Sequence, residues 1–155
     1  MISKEELHGS WQLESWTIGY SDRDEFTYPY GEDPTGLLLY TEDGWMSASI
    51  CRHERALLPQ DVNFRKLPDS TKAEAFSSYF HYAGRYRVVD GDVIHYVSQS
   101  LNPNFPGPEQ LRHAEMDGQT LVRSGKDQDG DEIRYHSLVW HKLGATEERE
   151  VIDSE

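Results

Sequence analysis

The chain has 155 residues, with 28 Asp and Glu against 15 Lys and Arg, a formal net charge of −13. That length suits one domain with its own core, and that charge argues against nucleic acid or an anionic membrane as a partner, since both would be repelled. The single cysteine, Cys51, excludes a disulfide framework and a cysteine-cluster zinc site, and no apolar run approaches the ~18 residues of a membrane span.

The opening Met1–Glu6 is charged and has no apolar stretch of the kind a secretory leader carries, so the expected location is the cytoplasm. Gly9–Tyr20 reads as a first strand. Gly36–Thr41 (GLLLYT) and Trp45–Ile50 (WMSASI) flank Asp43-Gly44. Asp-Gly between two strand-like runs is a hairpin signal, because both residues tolerate the positive φ of a tight turn. Thr71–Tyr79 reads as the one helix, capped by Asp69 or Ser70, with Ala73, Phe76 and Phe80 as its buried stripe. Gly84–Val89 and Val93–Ser100 flank Asp90-Gly91. Gln110–Met116 and Gln119–Ser124 flank Asp117-Gly118, and Asp131–Lys142 follows Asp129-Gly130 as the last strand. Gly144 to Glu155 is a charged tail, leaving 7–143 as the domain.

If each strand runs opposite to the last, three Asp-Gly turns lie at one end and the longer connections at the other. The expected fold is therefore all-β: an eight-stranded antiparallel up-and-down barrel, closed at the short-turn end and open at the long-loop end, with one short helix between its third and fourth strands. A two-sheet sandwich would need Greek-key crossovers, which the regular alternation disfavours. Any ligand is expected toward the long loops, away from Trp11 and Trp140.

Gly9-Ser10-Trp11 opens the first strand and Trp140-His141-Lys142 closes the last. This resembles the calycin arrangement, in which a first-strand Trp plugs the barrel base beneath a basic residue of the last strand, here Lys142. Pro29-Tyr30-Gly31-Glu32-Asp33-Pro34-Thr35-Gly36, Asp43-Gly44-Trp45-Met46-Ser47-Ala48, Tyr82-Ala83-Gly84-Arg85-Tyr86 and Val93-Ile94-His95 resemble the bacterial and fungal lipocalin-like domain family, as do Pro103-Asn104, Gly107, Gln110 and Arg112. The resemblance runs from Leu7 to Leu143. It implies a small-molecule-binding barrel, since related proteins include ligand carriers and cofactor-free enzymes of specialised metabolism.

Period 2 from Trp11 puts Leu13, Ser15 and Thr17 inward, and Trp140 brings Leu138, His136 and Arg134. Tyr86 and Val88, Val93 with His95 and Val97, and Arg112 with Ala114 and Met116 form further inward faces. His95, between two valines, is a candidate base in an apolar cavity. Arg112 offers a fork for a carboxylate, enolate or phenolate. Tyr86 completes the expected catalytic set, with Tyr40, Tyr82, Arg52, His136 and Trp140 as expected ligand contacts. Each has a bland reading beside it: a packed histidine, an arginine paired to a surface acid, core tyrosines, a solvated loop arginine.

No phosphate-binding or HExxH motif is present, His136 and His141 fall on opposite strand faces, and Asp127–Asp131 lacks the glutamate that closes a calcium loop. The expectation is thus no metal and no cofactor. The expected partner is a small hydrophobic molecule, anionic or enolisable, bound by a monomer or homodimer. The expected function is cofactor-independent acid–base chemistry, of the isomerase, cyclase, dehydratase or lyase type. The alternative is a carrier or sensor that leaves its ligand unchanged.

Overall fold

The computed structural model describes residues 1–144, so most of the tail expected at 144–155 lies outside the described residues. A short helix α1 (Lys4–Leu7) precedes strands β1 (Gly9–Tyr20), β2 (Arg23–Thr27), β3 (Thr35–Tyr40) and β4 (Trp45–Cys51). Helix α2 (Asp69–Ser77) leads into β5 (Tyr79–Val89), β6 (Asp92–Ser100), β7 (Gln110–Asp117), β8 (Thr120–Asp129) and β9 (Glu132–Lys142). All pairings are antiparallel between neighbours in the order β1-β3-β4-β5-β6-β7-β8-β9, and β9 returns to β1, from Trp11↔Lys142 to Tyr20↔Arg134. This is the closed eight-stranded barrel of the sequence reading. Closure pairs both sides of each of the eight strands, so the ring itself presents no free edge.

The ninth strand, β2, corrects the expectation of an irregular connection after Tyr20. It folds back on the end of β1 and stands outside the closed barrel. The strand expected to end at Ser124 runs on to Asp129. Its polar far half is held to β9 by the pairing Asp127↔Arg134, where the guanidinium grips the carboxylate at 2.7 and 2.8 Å.

The predicted buried stripe on the helix is not formed. Ala73 and Phe76 are exposed, and Phe80 belongs to β5, opposite Ile50. Instead Arg55 anchors the helix end, donating to Ser78 Oγ and the Ala75 carbonyl at 3.0 Å each.

Parity along β1 also breaks. A bulge at Glu14 pairs Leu13 with Trp140 but Ser15 with Val139, so beyond it Trp16 and Ile18 turn inward in place of Ser15 and Thr17. A second bulge sits at Ala83/Gly84, where β5 bends so close to β6 that a Cβ on Gly84 would lie 2.0 Å from the Tyr96 carbonyl oxygen.

The tight-turn end is shut. Asp90 and Gly91 both take positive φ, 51° and 85°, as the Asp-Gly turn requires. Trp11 and Leu7 are fully buried there. The Trp11 indole N–H donates to the Leu7 carbonyl at 2.9 Å, and Lys142 Nζ lies 5.2 Å from its ring centroid. Burying side chains of this size contributes about 1.5–3 kcal/mol each. Helix α1 completes the plug through a reciprocal cap in which Ser3 and Glu6 satisfy each other's backbone N–H.

At the other end the wall parts. The β6–β7 pairing stops at His95↔Gln110, and Phe105 from the largely exposed connection Leu101 to Glu109 packs into the gap. Among the described residues no helix is long and apolar enough to cross a membrane.

Candidate functional site

The parted wall and the bulged β1 enclose a cavity of about 300 Å³ at the long-loop end. Ile50, Phe80, Phe105, Trp16 and Leu138 supply its apolar lining. Tyr82, Arg112, Arg123, Asn102, Gln110, Lys126, Asp127 and His136 supply its polar groups. Each position follows from strand parity. Ile50 continues the inward row Met46, Ala48, Ile50 of β4. Tyr82 and Tyr86 alternate on β5, and Leu121 and Arg123 on β8. Phe105 closes the side where β6 and β7 separate, packing edge-on against Phe80 and Tyr82 with centroids 5.6 and 5.2 Å apart.

The cavity floor holds a buried charge. Arg123 is 1% exposed, yet its guanidinium meets no carboxylate among the described residues. Nη1 donates to the Tyr40 hydroxyl at 2.9 Å and Nη2 to the Tyr82 hydroxyl at 3.3 Å, while the Trp140 ring lies 5.4 Å from the guanidinium carbon. Its Nε is buried without a partner. An ion enclosed without a counter-ion costs several kcal/mol, and hydrogen bonds to two phenols offset only part of that.

Beneath Arg123, the Tyr40 hydroxyl is 2.8 Å from His95 Nε2. Because Arg123 donates to the Tyr40 oxygen, Tyr40 gives its own proton to Nε2. This order assigns His95 the Nδ1–H tautomer, and that Nδ1 has no partner. Burial, with Arg123 and Arg112 nearby, pushes His95 well below the ordinary histidine range, so the ring is neutral. Burial likewise raises the Tyr40 phenol. Tyr82 behaves differently: burial acts to raise its phenol, but Arg123 and Arg112 together outweigh it and hold the group below its ordinary value.

Arg112 lies half-buried on the wall, donates to the carbonyl of its neighbour Leu111 at 3.0 Å, and faces the Tyr82 phenol. The acids that would have drawn it to the exterior are engaged elsewhere, Glu115 with His113 at 3.3 Å and Glu14 with His141 at 2.9 Å. Gly125 makes room for it, since a Cβ there would sit 3.3 Å from Arg112 Nη1. At the rim, His136 is fixed from both sides. Trp16 Nε1 donates to its Nδ1 at 3.1 Å, and its Nε2 faces Asp127 at 3.0 Å. Burial holds His136 below the ordinary range despite Asp127. Tyr30 stacks on Trp16 with centroids 5.1 Å apart.

Of the residues singled out from sequence, Tyr82, Arg112 and His136 come together on the cavity wall, with Tyr40, His95 and Trp140 packed around Arg123 beneath it. Tyr86 and Arg52 do not join them. The Tyr86 hydroxyl donates to the Thr41 carbonyl at 2.7 Å near the tight-turn end, and burial pushes that phenol up to about 12. Arg52 donates to the Pro29 carbonyl at 3.2 Å. Arg134, expected inward on β9, keeps the row of His136 and pairs with Asp127, which lines the cavity.

Sequence reasoning missed Arg123 because no inward face was assigned to Gln119–Ser124. The signal was present: Leu121 stands opposite the inward Trp140, and period 2 from Leu121 reaches Arg123.

No curated protein matches the chain. Among solved structures, it is similar to a lipocalin-like protein from Bacteroides uniformis, at 15% identity and a TM-score of 0.44, covering 88% of this chain and 98% of that one. Residues 8–143 match the model of the lipocalin-like domain. With nearly the whole barrel inside that match, the chain belongs to the lipocalin-like domain family.

Proposed function

We propose that the barrel binds a small, largely apolar molecule through an oxygen that carries negative charge. Lipocalin-like barrels generally bind small hydrophobic ligands, and a cavity of about 300 Å³ suits a molecule of one or two rings. The observation that carries the anionic part is the enclosed Arg123, held by phenols and by no carboxylate among the described residues, with Arg112, which makes no ion pair among them, on the wall above it. A carboxylate, enolate or phenolate on the ligand supplies the missing counter-charge and sits where low dielectric strengthens the attraction.

The test compares isosteres by quenching of the protein's tryptophan fluorescence, to which Trp16 on the cavity wall contributes. 2-Naphthoate should bind at least about tenfold more tightly than neutral 2-naphthamide at pH 7, a difference of about 1.4 kcal/mol. Arg112→Gln should shrink that preference. Equal affinities for the two would contradict the proposal.

A second reading is cofactor-free acid–base turnover of the same ligand, as in an isomerase or lyase. It is favoured by one observation: Arg112 and Arg123 line the same cavity, and cations so placed would stabilise an enolate more than the parent ketone.

A further inference from the structure

We propose that Tyr82 is the group that takes a proton from the bound molecule and returns it, making the barrel an isomerase of small enolisable ketones. The inference rests on the ligand reading above and adds a chemical step to it. His95 was the expected base, but its Nε2 is occupied by Tyr40 and approached by Arg123 at 3.4 Å, and it does not line the cavity. Adding a proton there would place a third cation against Arg123 and Arg112. Tyr82 is the reverse case. It lines the cavity, receives Arg123 Nη2 at 3.3 Å, and becomes an anion when it loses its proton, so the same two cations favour the change. The charged and titratable groups nearest it are Arg123 from β8, Arg112 from β7, Tyr40 from β3 and His95 from β6, and Lys126 and Asp127 from β8 and His136 from β9 share its cavity. Phe80 and Phe105 pack on its ring.

The step balances without a co-reactant. The Tyr82 phenolate removes a proton from the carbon beside the ligand carbonyl, so the C–H bond breaks and the Tyr82 O–H bond forms. The electron pair moves to the carbonyl oxygen, where Arg112 faces the enolate. Return of the proton to another carbon of the enolate system gives the isomer and restores the phenolate.

The experiment follows exchange of the α-protons of 2-tetralone in deuterated buffer by NMR. The wild-type protein should accelerate exchange over buffer, and Tyr82→Phe, which keeps the ring, should lower the rate by about 10²-fold or more. The rate should rise with pH alongside a tyrosinate absorbance that appears below the ordinary phenol value of about 10 and is missing from Tyr82→Phe. Wild-type exchange no faster than buffer, exchange that survives in Tyr82→Phe, or a rate rise centred below neutrality would overturn the proposal, the last by assigning the base to a histidine such as His136 on the cavity wall. Binding of 2-naphthoate separates the two claims. If wild type and Tyr82→Phe both bind it while exchange fails, only the role of Tyr82 falls. If wild type does not bind it, the ligand reading falls first.

Discussion

Replacing Arg123 with methionine should make the ligand-free protein more stable and a worse binder. The guanidinium is 1% exposed and has no carboxylate partner among the described residues. Against its desolvation cost of several kcal/mol stand two hydrogen bonds from a charged donor, each worth about 1.5–3 kcal/mol, and a contact with Trp140 worth up to about 2 kcal/mol. Methionine fills similar volume and removes both sides of that balance. Tyr40 keeps His95 as a partner, and the Tyr82 hydroxyl stands at a cavity that water can enter. Isosteric apolar replacements of buried ions range from neutral to about 1–4 kcal/mol stabilising, and we expect a gain of about 1 kcal/mol. Thermal unfolding of the ligand-free protein should show this as a rise in Tm of about 2–4 °C. The same variant should lose 2-naphthoate affinity by at least about tenfold. A loss of more than about 2 kcal/mol in the variant would refute the reasoning, because Arg123 would then be a structural anchor rather than a group kept for a ligand.

Acid should destabilise the fold through its buried histidines. The folded-state pKa of His95 and of His136 lies below the unfolded value near 6.5, so the stability they contribute is present above that value and is lost as pH falls below it. Urea unfolding between pH 7.5 and 5 should show a slope approaching about 1.4 kcal/mol per pH unit for each group, reduced in His95→Gln. Gly84→Ala should prevent normal folding, since its Cβ would meet the Tyr96 carbonyl oxygen at 2.0 Å, and circular dichroism of the purified variant checks this. Lys142→Met should cost only about 0.5–1 kcal/mol in urea unfolding, because its cation lies over Trp11 at an exposed rim and makes one long bond to the Glu6 carbonyl at 3.4 Å.

The barrel was legible because its signals are local. Asp-Gly turns and alternating strands set direction and parity, and Trp11 with Lys142 marked the closed end. What stayed hidden depends on contacts between distant residues. The bulge at Glu14 that swings Trp16 into the cavity leaves no local mark, since Glu14-Ser15-Trp16 fits either parity. The polar far half of β8 reads as a loop until Asp127 meets Arg134. Phe76 satisfies a helical spacing but finds no core to face, because α2 lies outside the barrel wall. At the site, Arg112 and His95 were recognisable as polar residues on inward rows, and Tyr82 as a tyrosine able to contact a ligand. Arg123 was not, because an arginine in Gln119–Ser124 looks like a solvated strand residue until the hairpin partner Trp140 fixes its face. The neutral state of His95 was hidden with it, since burial first, and then the charges of Arg123 and Arg112, hold the ring unprotonated.

The most direct test of the account is a crystal structure of the complex with 2-naphthoate. The account predicts the carboxylate at the inner end of the cavity, within about 3 Å of the Arg112 guanidinium and the Tyr82 hydroxyl, with the rings between Trp16 and Phe105. A carboxylate turned outward to Lys126 at the rim, or a ligand seated at the Trp11 end of the barrel, would contradict it.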